Sequence, residues 1–128
     1  MVEISYDLSL IDNTTGREFE IFMVDLFEKL GYSATVTNRS KDHGCGMMLQ
    51  QGEYRIAVQA KRSESELNFT SVQRALDSLK KYHAQLAIVV TNNKFISSAK
   101  QLAKIKNVAL IDRKKLLDLI ELSNLPVN

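Results

Sequence analysis

Cysteine is scarce in this sequence, and long apolar segments are absent. Its 128 residues include one cysteine, Cys45, and two histidines, which excludes an internal disulfide and disfavours a four-ligand zinc cluster. No run of about 18 apolar residues occurs, so the sequence predicts no transmembrane helix. The first residues are acidic and lack the basic-then-apolar pattern of a secretory signal. These absences predict a cytoplasmic protein that does not associate with a membrane.

The composition is that of one globular domain. With 128 residues and a hydrophobic content of 45%, the chain can build a single core, so we expect one domain over residues 1–128. The charges are unevenly distributed. Residues 1–31 carry seven acids and two bases, whereas residues 70–115 carry ten bases and two acids. This asymmetry is compatible with a basic face that binds phosphates, and equally with a solvated helix surface.

The first half of the chain is predicted to contain one helix and three strands. Thr15-Gly16-Arg17-Glu18 has the spacing of a capping box, and Gly31 marks the end of the helix that follows. Alternating and apolar segments then predict strands at residues 33–38, 47–50 and 54–62. The last two strands form a hairpin across residues 51–53, because a glycine lies at its centre.

The second half alternates helices with apolar strands. Thr70 or Ser71 is predicted to cap a helix, and the strand at residues 86–91 follows it. A further helix, a short strand at residues 108–111 and a final helix complete the chain. The predicted order is α-β-β-β-α-β-α-β-α. The hairpin favours antiparallel pairing and the alternating part favours parallel pairing, so the fold class is α/β with a mixed sheet.

The strand that ends in Gln59-Ala60-Lys61 is the strongest functional signal. Residues 59 and 61 are two apart, so their side chains project from the same face of the strand. A lysine there can hold a proton or an anionic oxygen, and a neighbouring oxygen ligand can help to hold a metal ion. Just upstream lies a glycine-rich loop that contains one acid, Asp42. This combination is typical of nucleases that cleave phosphodiester bonds.

Six segments stand out when they are taken together and in order: Gly16-Arg17-Glu18-Phe19-Glu20, residues 26–32, Asp42-His43-Gly44, Val58-Gln59-Ala60-Lys61-Arg62, residues 87–92 and residues 110–113. In this order they resemble the catalytic domain of Mrr-type restriction endonucleases, in the PD-(D/E)xK nuclease superfamily. The resemblance runs from about Thr15 to Ile120. It implies a restriction-endonuclease-like three-layer fold, in which helices flank a central mixed β-sheet.

The resemblance also implies an active site. Glu20 matches an acid that helps to bind the metal ion. Gln59, which is also an implied metal ligand, occupies a position where many relatives have Asp or Glu. Lys61 matches the catalytic lysine, which positions or deprotonates the attacking water. The backbone carbonyl of Ala60 is a further implied metal ligand, and Asp42 matches the first acid of the glycine-rich loop. The implied ion is Mg²⁺ or Mn²⁺, with no small-molecule cofactor.

DNA is the implied partner. Gln73, at the start of the second long helix, is a candidate phosphate contact, although it equally suits an ordinary surface position. Thr91 and Asn92 end a strand that lies near the cleft in the family, and their alternative role is turn chemistry. Arg62, next to Lys61, completes the candidate DNA-binding residues. A homodimer is expected, because cutting both DNA strands requires two sites.

One position departs from the family pattern. The loop usually reads Asp-x-Gly-x-Asp, and its second acid is the principal metal ligand, but here that position is Gly46. Three explanations fit the sequence. The domain is a naturally degenerate nuclease, or Asp42 or His43 reaches the metal ion from a shifted loop, or the glycine is an altered residue in an otherwise active protein. The loss of such an anchor usually costs several orders of magnitude in rate.

The predicted function is therefore that of an Mrr-like DNA endonuclease domain. Its metal-dependent phosphodiester hydrolysis is either retained weakly or lost with the acid at position 46. The alternative is a catalytically inactive module with the nuclease fold that binds DNA or a protein partner.

Overall fold

The computed structural model describes residues 8–37 and 46–124. Within these ranges the chain forms five helices and five strands. In chain order they are α1 (Leu8–Asp12), α2 (Gly16–Lys29), β1 (Ser33–Val36), β2 (Met47–Gln51), β3 (Tyr54–Lys61), α3 (Phe69–Lys81), β4 (Leu86–Thr91), α4 (Ser97–Lys106), β5 (Ala109–Ile111) and α5 (Arg113–Ser123).

The strands form one mixed sheet in the order β1-β2-β3-β4-β5. The first three strands pair antiparallel, and β3, β4 and β5 pair parallel. Lys61 lies opposite Thr91, and Val90 lies opposite Ile111. The carboxyl ends of the three parallel strands therefore meet at one edge of the sheet, where α/β proteins commonly place their functional residues.

Helices cover both faces of the sheet. On one face, apolar residues of α2 and α5, such as Phe19 and Leu116, pack with Val58 and Ala60 of β3. On the other face, Val72 of α3 and residues of α4 pack against β4. The predicted α/β class, with helices on both sides of a mixed sheet, is confirmed.

The start and the end of α2 follow the predicted local chemistry. The Thr15 side chain accepts a hydrogen bond from the Glu18 backbone N–H (3.1 Å), and the Glu18 Oε1 atom accepts one from the Thr15 N–H (2.9 Å). This reciprocal capping box confirms the predicted helix start. Gly31 follows the helix with φ of 103°, a conformation that favours glycine, and so confirms the predicted end.

Two local predictions differ from the structure. Helix α1 was not predicted, because its five residues are too few to show helical periodicity, although Ile11 is buried in the core. Helix α3 is capped by Asn68 and not by Thr70 or Ser71. The Asn68 side chain accepts a hydrogen bond from the Thr70 N–H (2.9 Å), and the bridge between Leu67 and Phe95 ends the preceding extended segment just before it. Asn caps helices as well as Ser does, so the earlier residue takes the position.

None of the helices within residues 8–37 and 46–124 is both long enough and apolar enough to cross a membrane.

Candidate active-site cleft

Gly46 lies between α2 and the end of β3. Its N–H donates to the carbonyl oxygen of Val58 (3.0 Å), so it continues the pairing of β2 with β3. A Cβ atom added to Gly46 would lie 3.3 Å from the Cγ and 3.4 Å from the Cδ of Glu20, and 3.5 Å from the Cβ of Ala60. The structure therefore brings together Glu20, Gly46 and Ala60, three positions that the family resemblance assigns to the active site.

Backbone conformation does not require glycine at this position. Gly46 is not among the glycines with positive φ, so an L side chain could adopt its backbone angles. The Glu20 side chain lies directly against the position that a side chain at residue 46 would occupy. Glu20 itself is half-buried, and its Oε2 atom is shielded from solvent. An acid at position 46 would thus meet the carboxylate that the resemblance assigns to the metal ion.

The side chains of Gln59 and Lys61 lie on the other face of β3. As strand alternation predicts, both line the same cleft, which has a volume of about 180 Å³. Gln59 is 2% exposed, and its Oε1 atom has no hydrogen-bond partner among the described residues. The remaining lining residues come from the start of α3 and the segment before it: Leu67, Asn68, Thr70, Ser71 and Arg74. Lys61 is exposed at the mouth of this cleft.

A polar network joins α1 to the carboxyl ends of β3 and β4. The Arg113 Nη1 atom donates to the Asp12 Oδ1 atom (2.7 Å), and the Asn92 Nδ2 atom donates to the same oxygen (3.0 Å). Arg62 donates to the Asp12 carbonyl oxygen (3.2 Å), and the Ser63 N–H donates to the Asn92 Oδ1 atom (2.7 Å). The network holds the chain that follows Lys61 in place.

Sequence reasoning missed the role of Asp12. Nothing in its sequence surroundings marks it, since it lies 101 residues from Arg113. Arg113 belongs to one of the segments that carry the family resemblance, but its partner emerges only when α1 packs beside α5. The hydrogen bond from Arg113 is the main reason that the pKa of Asp12 lies below its ordinary value, with smaller contributions from Asn92 and the nearby arginines.

The four candidate DNA-binding residues differ in their exposure to solvent and in whether they line the cleft. Thr91 is 0% exposed and Asn92 is 4% exposed, and both make hydrogen bonds within the domain. Arg62 is half-buried against Asp12. Gln73 is exposed but does not line the cleft, whereas the next residue, Arg74, does. DNA contact by these four residues remains a prediction, and Thr91 and Asn92 would have to rearrange to make it.

The Asp12 network predicts a pH-dependent contribution to stability. Since its folded pKa is lowered, Asp12 stabilises the domain fully above its ordinary value of 3.8, and this stabilisation is lost as the pH falls through the lower folded pKa. Asp12→Asn is expected to lower the free energy of unfolding by about 1 kcal/mol or less at neutral pH, because both partners are more than a third exposed.

Urea unfolding of the wild type and of Asp12→Asn at neutral and strongly acidic pH checks this prediction. The difference in unfolding free energy should shrink on acidification. Asp118→Asn, on the exposed surface of α5, is the matched control and should leave stability nearly unchanged at either pH. If Asp12→Asn lowers the free energy of unfolding equally at both pH values, the charge of Asp12 does not contribute to stability.

The sheet order, the covering helices and the polar strand ends define a nuclease-like α/β domain. A family model of restriction endonucleases, the Mrr catalytic domain (Mrr_cat), matches residues 11–120. The chain belongs to this family. No significant match was found among curated proteins.

Solved structures share the fold at low sequence identity. The modification-dependent restriction endonuclease AspBHI superposes with a TM-score of 0.71 at 17% identity, covering 92% of this chain and 35% of AspBHI. The restriction endonuclease MspJI, solved with a 27-mer oligonucleotide, gives 0.62 at 20% identity, covering 88% of this chain and 29% of MspJI. A protein of unknown function, AF1548, gives 0.64 at 13% identity, covering 88% and 71%. The chain therefore spans about a third of the two restriction enzymes.

Restriction-endonuclease-like domains generally use divalent metal ions, but the described residues do not fit one. Within residues 8–37 and 46–124, no three Asp, Glu, His or Cys residues lie close enough together to hold a metal ion. Glu20 contributes one carboxylate, and Gly46 contributes no side chain. The Gln59 side chain lies on the face of β3 opposite to the one on which Glu20 and Gly46 meet. Mg²⁺ and Mn²⁺ favour several oxygen ligands, of which carboxylates bind most strongly. Asp42 and His43 lie outside the described residues.

Proposed function

We propose that this chain is a DNA-binding domain of the restriction endonuclease family whose hydrolytic centre is impaired by the glycine at position 46. The observation that carries this proposal is the placement of Gly46 against Glu20. A Cβ atom at Gly46 would lie within 3.4 Å of the Glu20 carboxyl carbon, yet the side chain that would bring the second carboxylate is missing. With one carboxylate, Mg²⁺ or Mn²⁺ would be poorly held, and phosphodiester cleavage would be slow or absent.

The fold and the local charge support the DNA-binding part of the proposal. MspJI, which shares the fold, was solved with an oligonucleotide. In this chain the cleft beside Gln59 carries two cations, Lys61 and Arg74, and no acid among its lining residues. Positive side chains that converge on a concave surface favour the phosphates of a DNA backbone. A homodimer and a cytoplasmic location belong to the same proposal.

The experiment separates binding from cleavage. We expect the chain to bind a fluorescent DNA duplex in EDTA, with an affinity that falls steeply as salt is raised, because cations released from the DNA backbone drive binding. With supercoiled plasmid and Mg²⁺ or Mn²⁺, nicking should be slow or undetectable. Absence of DNA binding at low salt would refute the proposal and favour a protein partner. Rapid nicking that Lys61→Ala abolishes would show that the hydrolytic centre is intact.

A further inference from the structure

Helix α5 carries opposite charges at the two ends of its exposed face. Leu116 and Ile120 form its buried face and pack in the core beside β3 and β4. Lys114, Leu117 and Glu121 are exposed, and their spacing of three and then four residues places them in one stripe along the helix. Leu117 is 37% exposed. Among the described residues, the side chains of Lys114 and Glu121 have no hydrogen-bond or ion-pair partner.

The charges along α5 oppose the dipole of the helix. The N-terminal end of a helix carries a partial positive charge and its C-terminal end a partial negative charge. The first turn of α5 contains three bases and no acid, whereas its last turn contains Glu121 and no base. Asp112, which caps the helix, offsets only part of the positive charge at its start. Lys114 and Glu121 therefore each lie at the end where their own charge is disfavoured, and a helix of opposite direction would reverse this.

A second copy of α5, packed antiparallel, has the required direction and charge. Lys114 and Glu121 lie equally far from a point between residues 117 and 118. A two-fold axis at this point brings Lys114 of each copy opposite Glu121 of the other copy, and brings the two Leu117 side chains together near the axis. Each lysine then also meets the negative end of the other helix. Asp118 lies at the edge of this contact, where water and salt screen its charge.

From these observations we propose that two copies of the chain associate through α5, packed antiparallel about a two-fold axis. Lys114 and Glu121 form two symmetric ion pairs, and Leu117 forms the apolar centre of the contact. Each helix contributes only 11 residues, so the contact is small and the dimer is weak, with a dissociation constant of about 10–100 μM. The inference rests on the proposed function for the homodimer and names the surface that forms it.

The antiparallel packing also determines the directions of the two clefts. Helix α5 starts beside the carboxyl ends of the strands, where the Arg113 N–H donates to the Asn93 carbonyl oxygen (2.9 Å). The cleft beside Gln59 lies at the same end of the sheet, because Lys61 is opposite Thr91. Since the two α5 helices point in opposite directions, the two clefts lie at opposite ends of the dimer. Such a dimer holds two separate DNA segments and does not place two sites on one duplex.

Sedimentation velocity without DNA tests the contact. In EDTA at low salt, the wild type should change from monomer to dimer over a concentration range of about 1–300 μM, and high salt should weaken the dimer. Lys114→Glu and Glu121→Lys each place like charges opposite one another across the two-fold axis. Each variant alone should dimerise at least about tenfold more weakly than the wild type.

Combining the two substitutions provides the rescue. An equal mixture of Lys114→Glu and Glu121→Lys should form a heterodimer about as tightly as the wild type forms its dimer, because both ion pairs are restored. This rescue also shows that both variants are folded. Lys80→Glu and Asp77→Lys make the same charge changes on the exposed surface of α3, on the other face of the sheet, and should dimerise as the wild type does.

The outcomes separate this proposal from the proposed function. A wild type that stays monomeric at about 300 μM, or a mixture that is not rescued, overturns the α5 contact. If the same wild-type chain binds a fluorescent duplex, the proposed DNA binding stands without the dimer. If the dimer follows the expected pattern but no duplex binds at low salt, the α5 contact stands and the proposed function fails.

Discussion

Gly46→Asp is expected to raise Mg²⁺-dependent plasmid nicking by about two to three orders of magnitude. The substitution places a second carboxylate beside Glu20, where the family pattern has its principal metal ligand. Two carboxylates form a donor set that suits Mg²⁺ or Mn²⁺ better than one carboxylate does. The chain with glycine at position 46 should therefore nick plasmid more slowly than Gly46→Asp does.

The structure can accommodate the new side chain. Gly46 does not have a positive φ, so aspartate meets no backbone penalty of that kind. The closest approach of its Cβ atom would be 3.3 Å to the Glu20 Cγ, which requires a shift of a few tenths of an ångström. Glu20 can make this shift because its side chain is long and has several rotatable bonds.

The Gly46→Asn variant tests whether the negative charge of aspartate, and not its size, produces the gain in nicking. Asparagine has nearly the same size as aspartate but no charge, so this variant should nick plasmid no faster than the parent chain. Adding Glu20→Gln to Gly46→Asp should remove the gained activity, because it takes away the carboxylate that lies beside position 46. Equal nicking by the parent chain, Gly46→Asp and Gly46→Asn would contradict the assignment of position 46 to the hydrolytic centre.

Thermal unfolding provides a readout that does not depend on cleavage. In EDTA, Gly46→Asp should lower the midpoint of unfolding, because its carboxylate lies close to that of Glu20. Adding Mg²⁺ should raise the midpoint of Gly46→Asp more than that of Gly46→Asn, because an ion that binds only the folded state stabilises it. A gain in nicking without this shift would place the metal ion elsewhere.

Phe19→Ala is expected to lower the free energy of unfolding by about 3–5 kcal/mol. Phe19 is 0% exposed and belongs to the cluster that joins α2 to β3 and α5. Truncation to alanine removes buried apolar surface and leaves a cavity in this cluster. Because a domain of this size has a total stability of about 5–15 kcal/mol, the variant should unfold roughly 10–20 °C below the wild type.

Ile21→Ala is the matched control for Phe19→Ala. Ile21 lies on the same helix but is 55% exposed, so its truncation should change stability by about 0.5 kcal/mol or less. Thermal and urea unfolding of both variants give the comparison. Equal losses would mean that α2 does not pack on the sheet through Phe19. Since Glu20 is the next residue, loosening α2 should also weaken any gain from Gly46→Asp in the double variant.

Local sequence was sufficient where a feature depends on neighbouring residues. The capping box at Thr15 and Glu18 was predicted correctly because both hydrogen bonds span three residues. The shared face of Gln59 and Lys61 follows from strand alternation alone. The predicted cap of α3 was wrong, because Asn68 and Thr70 both suit that position locally. The bridge between Leu67 and Phe95 favours the earlier residue.

The sequence by itself determined the order of the main helices and strands, the family resemblance, and the lysine at the end of a buried strand. These features depend on periodicity and short spacing, which are local properties. Only the tertiary structure decided that Gly46 lies against Glu20, that Arg74 and not Gln73 lines the cleft, and that Asp12 pairs with Arg113. Such contacts join segments far apart in the chain, and they are set by how the helices pack on the two faces of the sheet.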